Sequence, residues 1–429
     1  MIAPHIVLVT EELPFQRVAG HHQINMALLD LLRARGYRIT ILLTAARMQG
    51  PIVVNPYPEI AVCGPCIATL GQLVVASGLK SFLKLAAKQL VEAAPSLAQN
   101  LVLGMRTRLA PASAGTLGKF DNQTQIDWLV RWIAANAPDA VFFDTVFRCP
   151  TIPQLKPPRP KVFVLTHDVF HLRHASLRAR GLALSPERFE REEEVALLRP
   201  ADVLIAINAD EQAVLHDMVP GAQVIEANMP VSTVPRPASR KRDPHKLIFV
   251  GSDSIHNEDG LRWFLSEVWP RVRAAEPKAH LDVYGLVCRA IPFAPEGVTL
   301  HGRVRNLSAA YHSACVALCP LKAGSGLKIK MLEYFSHGLP CVTTPIGAAG
   351  FVKSDAPPYV MADTPEEFAD ATLRFMREDA LSEVYEKRAY AYCALYCEPA
   401  FTALIEALPR PQVHAAAETT RLRPSRLAR

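Results

Sequence analysis

Leu321-Lys-Ala-Gly-Ser-Gly-Leu-Lys-Ile-Lys-Met-Leu-Glu-Tyr-Phe-Ser-His-Gly-Leu-Pro-Cys-Val342 is the stretch on which the fold turns. It follows an apolar run, Ala314 to Pro320, that reads as a buried strand, and its two glycines, Gly324 and Gly326, let backbone approach a ligand closely. The helix expected next offers free amide N–H groups and a positive dipole end, which suit a pyrophosphate. Lys328 and Lys330 fall in its first turn, where cations oppose the dipole and cost stability unless an anion compensates. Glu333, one turn further on, can reach two ribose hydroxyls with its two carboxylate oxygens. Gly338, with Pro340 after it, closes the helix and starts another strand. The plainer alternative is an ordinary strand, glycine turn and helix with solvated lysines.

Working outward, strands are expected at Leu247 to Val250, Leu281 to Tyr284, Thr299 to His301, Val316 to Cys319 and Cys341 to Thr343, with helices such as Gly260 to Ala275 and Leu327 to His337 between them. The first half alternates in the same way: His5 to Thr10, a helix from His22 to Arg35, Arg38 to Leu43, then strands at Ala140 to Phe143, Val162 to Thr166, Val203 to Ile207 and Val224 to Glu226. Short apolar runs separated by helical patterns predict parallel sheets covered by helices, so the fold class is α/β, two Rossmann-like doubly wound domains facing each other across a cleft. Between Pro230 and Lys246 the chain is rich in proline and charge and has no apolar period, which places a linker and boundary near residue 238. The expected layout is residues 1–238 as the first Rossmann-like domain with a helical insertion at about 62–135, residues 239–384 as the second, which carries the glycine loop, residues 385–410 as helices packing back on the first domain, and residues 411–429 as a basic disordered tail.

The net charge of +6 does not argue for nucleic acid, because half of it comes from the tail, where Arg421, Arg423, Arg426 and Arg429 face only Glu418. Nine cysteines, several inside apolar runs, behave as free thiols of a reducing compartment, and a cytoplasmic location is expected. Cys63-Gly-Pro-Cys66 copies a redox dithiol spacing without a surrounding redox domain, so a turn with two thiols is the preferred reading. Met1 to Glu11 has no basic n-region and reads as a first strand, and the charge-free stretch Ile60 to Leu79 carries too many glycines and polar residues for a comfortable membrane span. His21, His22, His171 and His174 invite a metal reading, but no carboxylate or thiol at ligand spacing completes a site, so no metal and no cofactor are expected.

The glycine-loop constellation resembles the donor-binding motif of the retaining glycosyltransferases of the GT-B fold, family 4-like (glycosyl transferases group 1), in which a small-residue loop and a basic-x-basic-x-x-Glu helix hold a nucleotide diphosphate sugar. The likeness runs from residue 247 to 351, through Phe249-Val-Gly-Ser, the Asn257 to Pro270 helix with Trp263, Phe264 and Trp269, Leu281-Asp-Val-Tyr-Gly, His301-Gly-Arg-Val and Thr344-Pro-Ile-Gly-Ala-Ala-Gly. The resemblance implies that Ser325, Gly326 and Leu327 line the sugar and phosphates, with Gly251 beside them. It further implies that Lys328 and Lys330 neutralise the diphosphate leaving group, that Glu333 binds the ribose and that the backbone around Arg303 and Val304 contacts the base. Many relatives carry an acid eight residues before the ribose glutamate, where this chain has Ser325, and an Arg and a Lys after the strand ending at Gly251, where it has Ser252-Asp-Ser-Ile-His-Asn-Glu-Asp259.

In the first domain, Thr166-His167-Asp168 ends an expected strand and so points into the cleft. His167 and Asp168 are the candidates for orienting the acceptor hydroxyl or accepting its proton, against the alternative that Asp168 caps the next segment. Gly20 occupies the turn before the first helix, where the resemblance brings backbone near the donor phosphates. These expectations describe an enzyme, a metal-independent glycosyltransferase that uses a UDP- or GDP-type sugar donor and a glycan or lipid-linked acceptor in surface polysaccharide or glycoconjugate synthesis. The rivals are a nucleotide-sugar epimerase on the same fold and a catalytically silent partner protein that binds nucleotide or glycan. Finally, Lys80, Lys84 and Lys88 recur every four residues beside Leu79, Phe82, Leu83, Ala86, Ala87 and Leu90, the pattern of a helix that contacts an anionic membrane at the inner face of the cell membrane.

Overall fold

The structure is a computed structural model and describes residues 3–16, 20–93, 115–228, 231–397 and 402–410. Residues 411–429, and with them the expected disordered tail, lie outside the described residues.

Two parallel sheets dominate. The first runs Gln223–Glu226, Val203–Ala206, Lys161–Leu165, Ala140–Asp144, His5–Glu12, Arg38–Arg47, Ala61–Cys63. The second runs Val298–Gly302, His280–Tyr284, Asp243–Val250, Ala314–Cys319, Cys341–Thr343, Tyr359–Met361. Counted in chain order, each sheet places its first strand between its second and its fourth, so the winding reverses there and a crevice opens beyond the carboxyl ends of those strands. Every strand pair in both sheets is parallel.

The strands read as unbroken apolar runs because helices cover both faces: Ile6, Val7, Leu8 and Val9 are all buried, alternate residues serving opposite layers of core. Helix starts carry their chemical signature. Asn122 and Gln125 form a reciprocal capping box ahead of Gln123–Asn136, and Thr364 and Glu367 form another ahead of Pro365–Arg377. Cys63 and Cys66 are free, and burial raises the Cys63 thiol, the opposite of what a reactive dithiol needs.

The insertion departs from expectation. It is not wholly helical: Ala61–Cys63 joins the main sheet, and Ile67–Leu70 and Leu73–Ala76 pair with Ile52–Val54 in a separate antiparallel sheet before helix Leu79–Ala93 begins. The helices expected at residues 385–410 are Asp379–Cys397 and Thr402–Ala407. Tyr392, Cys393 and Tyr396 of the former pack in a core with Leu332 and Phe335 of the second domain, whereas Leu404, Ala407 and Leu408 sit in the core of the first. Among the described residues no helix is long and apolar enough to cross a membrane.

Candidate functional site

The glycine loop lies at the reversal point of the second sheet, just after Ala314–Cys319. Gly324 and Gly326 have φ of +121° and +68°, values that L side chains rarely adopt. A Cβ on Gly326 would also lie 3.1 Å from the Asp168 carboxylate, so the loop needs glycine for conformation and for space. The helix Ile329–Ser336 follows, with Lys328 at its N-cap. It ends at Gly338, φ +65°, whose N–H donates to Phe335 O at 2.9 Å while Leu339 N–H donates to Tyr334 O at 2.9 Å.

Both lysines differ from the solvated picture. Lys328 is only 6% exposed and donates from Nζ to the Ser325 carbonyl at 3.1 Å and to the Gly326 carbonyl, so its ammonium is folded under the loop it was expected to serve. Burial pushes its pKa down to about 8, partly offset by Asp168. Lys330 donates to Asn257 Oδ1 and lies 4.6 Å from the centroid of the Phe249 ring, and burial lowers its pKa as well. Asn257 in turn donates to Ser252 Oγ at 3.1 Å and Ser254 Oγ at 2.8 Å, so Lys330 is tied to the segment after Gly251, where positive charge is missing from the sequence. Gly251 itself packs against Gly285, whose Cβ would stand 2.1 Å from the Gly251 carbonyl.

Residues from the first domain complete the site. Asp168, 1% exposed, accepts from Ser325 Oγ at 2.7 Å and pairs with Arg173 Nε at 2.5 Å. Gly324 N–H donates to Ser176 Oγ at 3.0 Å. Glu333 accepts from Gln23 Nε2 at 2.5 Å on one oxygen and from Tyr311 Oη at 3.0 Å on the other, and burial raises its pKa. His167 has φ +56°, an uncommon conformation for a residue with a Cβ. Its Nε2 lies 2.7 Å from Asp144 Oδ1, and the other Asp144 oxygen accepts from Thr10 Oγ1 at 2.6 Å. Thr10 and Asp144 belong to the two strands that flank the reversal point of the first sheet. The two crevices therefore face each other with a His–Asp pair on one side and a glycine loop on the other.

Sequence reasoning did not single out Gln23, Asp144, Arg173, Ser176, Asn208, Glu211, His256 or Asn257. Glu211 and Asn208 are buried at the start of helix Ala209–Met218, where Asn208 Oδ1 caps the Glu211 N–H at 2.8 Å. Asn208 Nδ2 would stand 3.0 Å from a Cβ on Gly350; it and the Glu211 carboxylate oxygens make no close hydrogen bond, although the Asn208 side chain lies near enough to Glu211 to favour its charged form. Burial, reinforced by the Asp168 charge, pushes the Glu211 carboxyl up to about 8. His256 is held well below its usual value by burial and by Arg173, Lys330 and Lys328. The cap Asn-x-x-Glu at Asn208 was visible in the sequence; its position opposite Gly350 was not.

Other residues singled out from the sequence have different surroundings. Gly20 is the first residue of helix Gly20–Ala34, not part of a preceding turn. Arg303 and Val304 lie exposed on the rim beyond Val298–Gly302. His22 pairs with Glu12 at 3.1 Å. His171 Nδ1 lies 2.7 Å from Glu194 Oε2, and His174 Nε2 lies 3.0 Å from the Glu187 carbonyl, so these two rings point to different partners. Glu194 also accepts from the Phe170 and His171 N–H groups, which fills the anion-binding end of helix Phe170–Ala179 with the protein's own carboxylate.

Two Rossmann-like α/β domains with opposed crevices define the GT-B fold. Residues 244–378, most of the second domain, match the family model described as glycosyl transferases group 1. Solved structures share the fold. Sucrose-phosphate synthase from Thermosynechococcus elongatus is 14% identical with a TM-score of 0.60, covering 94% of this chain and 97% of that one. HepE from Anabaena, solved in complex with UDP and glucose, is 11% identical with a TM-score of 0.56, covering 94% and 100%. A mutant of TarM from S. aureus, solved with UDP, fondaparinux and α-GlcNAc-glycerol, is 12% identical with a TM-score of 0.53 over 67% of this chain, which spans 58% of TarM. No curated protein matches the chain.

Proposed function

We propose that the protein is a glycosyltransferase that moves a sugar from a nucleoside diphosphate sugar, UDP- or GDP-linked, to a glycan or lipid-linked acceptor with retention at the anomeric carbon. The observation that carries this reading is the glycine loop and buried Lys328 facing His167 and Asp168 across the two crevices. In the reaction the acceptor oxygen bonds to the anomeric carbon, the bond to the diphosphate breaks, and the acceptor proton leaves its hydroxyl. Charge then accumulates on the departing diphosphate, which Lys328, Lys330 and the N–H groups at the start of Ile329–Ser336 stabilise in a site shielded from water. That role requires Lys328 to exchange its carbonyl partners for phosphate oxygens. His167, held by Asp144, orients the acceptor hydroxyl or takes its proton. Asp168, bound to Ser325 and Arg173, supplies at the loop the carboxylate that position 325 lacks. Glu333 takes the ribose hydroxyls, and the backbone near Arg303 and Val304 meets the base. Asn208 and Glu211, at a helix start beside Gly350, are the groups proposed to receive sugar hydroxyls.

We infer that no divalent cation takes part, since two lysines and a helix end serve the diphosphate, and that the product belongs to a surface polysaccharide or glycoconjugate. Thermal-shift titration with UDP, GDP, ADP and CMP identifies the base, because a ligand that binds only the folded state raises its apparent stability. Incubation of the matching nucleotide sugars with acceptors, followed by NMR assignment of the product anomer, tests transfer and retention. Sugar interconversion without acceptor would identify an epimerase instead, and nucleotide binding without turnover would identify a silent partner protein. Activity lost in EDTA and restored by Mg²⁺ or Mn²⁺ would overturn the metal-independent reading.

A further inference from the structure

Among the described residues, nothing covers one face of the small antiparallel sheet. Val54 pairs with Leu73 and Ile52 with Val75, while Leu70 pairs with Leu73 and Ala68 with Val75. Directly opposed residues share a face, so Ile52, Val54, Ala68, Leu70, Leu73 and Val75 form one outward surface without a polar side chain. The inward face carries Val53, Ile67, Val74 and Ala76, which pack against the core of the first domain, and Thr69, whose Oγ1 donates to the Val62 carbonyl at 2.7 Å. An antiparallel sheet with one solvated face ordinarily alternates apolar and polar residues; this one does not. Leu70, at the tip of the hairpin, is 76% exposed.

Helix Leu79–Ala93 continues the surface. Leu85 faces the same core as Val74 and Ala76, whereas Leu79, Leu83 and Leu90 are exposed, the first at 75% and the last at 73%. At about 100° per residue these three leucines fall within roughly 40° of one another, and Lys80 and Lys84, both exposed, form the adjoining row. Half of the exposed large apolar side chains among the described residues fall between Ile52 and Leu90. No acidic residue occurs between Glu59 and Glu92.

We propose that this sheet face and the leucine and lysine rows of the helix form one surface that docks on an anionic lipid bilayer. The apolar residues enter the boundary between headgroups and acyl chains, and Lys80 and Lys84 meet lipid phosphates. Charge selects this occupant over a second copy of the chain, because a two-fold contact through the same face would bring the lysine rows toward each other with no carboxylate to separate them. The inference goes beyond the transferase reading and stands or falls independently of it. Lys88 is part of the same helix by sequence, but its side chain lies outside the described residues.

The experiment is vesicle co-sedimentation of the full chain, with phosphatidylcholine alone and with phosphatidylcholine mixed with phosphatidylglycerol. Wild type is expected to sediment with the anionic vesicles. The pairs Leu70→Ser with Leu79→Ser, and Lys80→Glu with Lys84→Glu, are each expected to weaken binding at least tenfold, since one lysine at an anionic surface is worth about fivefold. All of these residues are exposed, so circular dichroism and melting should match wild type, and the tail arginines are common to every protein compared. As a direct readout of insertion, the tryptophan introduced by Leu70→Trp should shift its emission to the blue with anionic vesicles, measured as the difference from wild type. Failure of wild type to bind, undiminished binding by both paired variants, or no blue shift in the Leu70→Trp protein would each overturn the proposal, as would a concentration-dependent dimer that the Leu70 and Leu79 substitutions abolish.

Discussion

Ser325 and Asp168 meet from opposite domains, the serine hydroxyl donating to Asp168 Oδ1 at 2.7 Å, and Arg173 holds the other carboxylate oxygen at 2.5 Å. Asp168→Asn keeps the shape and removes the charge, leaving Arg173 facing a neutral amide. A fully buried pair loses about 3 to 5 kcal/mol when one partner is removed, but the Arg173 side chain is partly exposed, so a loss of about 1 to 3 kcal/mol is expected in urea unfolding. Ser325→Ala should cost about 1 kcal/mol, and in a double-mutant cycle the two effects should not add.

Lys328→Met retains the apolar stem and removes the ammonium. Because that ammonium serves developing charge, turnover should fall by two or more orders of magnitude while stability changes little. Release of its two loop carbonyls sets a limit to this argument: an equally large loss of stability would make Lys328 a brace for the glycine loop and not a partner of the leaving group.

Glu333→Ala should weaken nucleoside diphosphate binding by about 1.5 to 3 kcal/mol in calorimetric titration, as two hydroxyl hydrogen bonds are lost. Gln23→Ala should act in the opposite direction. Gln23 occupies a Glu333 oxygen at 2.5 Å, so its removal spares the ribose a competitor and should tighten binding by about 0.5 to 1.5 kcal/mol. Equal weakening by both substitutions would instead assign Gln23 to the nucleotide itself.

Glu211 gives a pH dependence with a definite sign. The folded carboxyl is pushed up to about 8 from an ordinary value of 4.5, so between those two values the folded chain keeps a proton that the unfolded chain has lost. Stability should therefore fall as pH rises through that window. Glu211→Gln, which cannot titrate, should flatten the slope and melt higher than wild type at the alkaline end; parallel melting curves for the two proteins would show that Glu211 is ionised throughout.

The sheets and the loop were legible because their signals are local. Buried parallel strands give short apolar runs, and the sequence from Gly324 to Pro340 contains its own turn, helix and stop. The His167–Asp144 pair was half legible: His167 could be placed at a strand end, but its partner lies on the neighbouring strand, and adjacency between strands is not written in either one. Lys328 was legible as a residue at the helix start, but spacing could not say that its side chain turns back under the loop. The strands between Ile60 and Leu79 were not legible because the outward face of their hairpin is apolar and the inward face carries Thr69, which blurs the alternation that marks a strand with one wet side.

The chain passes between the domains twice, once through residues 231–242 and again near its end, where Tyr396 packs against the second domain and Leu404 inside the first. A single tether would leave a neighbour free to swing in any direction. Here the second crossing runs beside the first, Asn228 Nδ2 donating to the Tyr396 carbonyl at 3.4 Å, so the chain is doubled where it joins the two halves. Leu404, Ala407 and Leu408, seated in the core of the first domain, anchor the length of chain that leaves the second at Tyr396, so the two halves are held by a rivet as well as by a link.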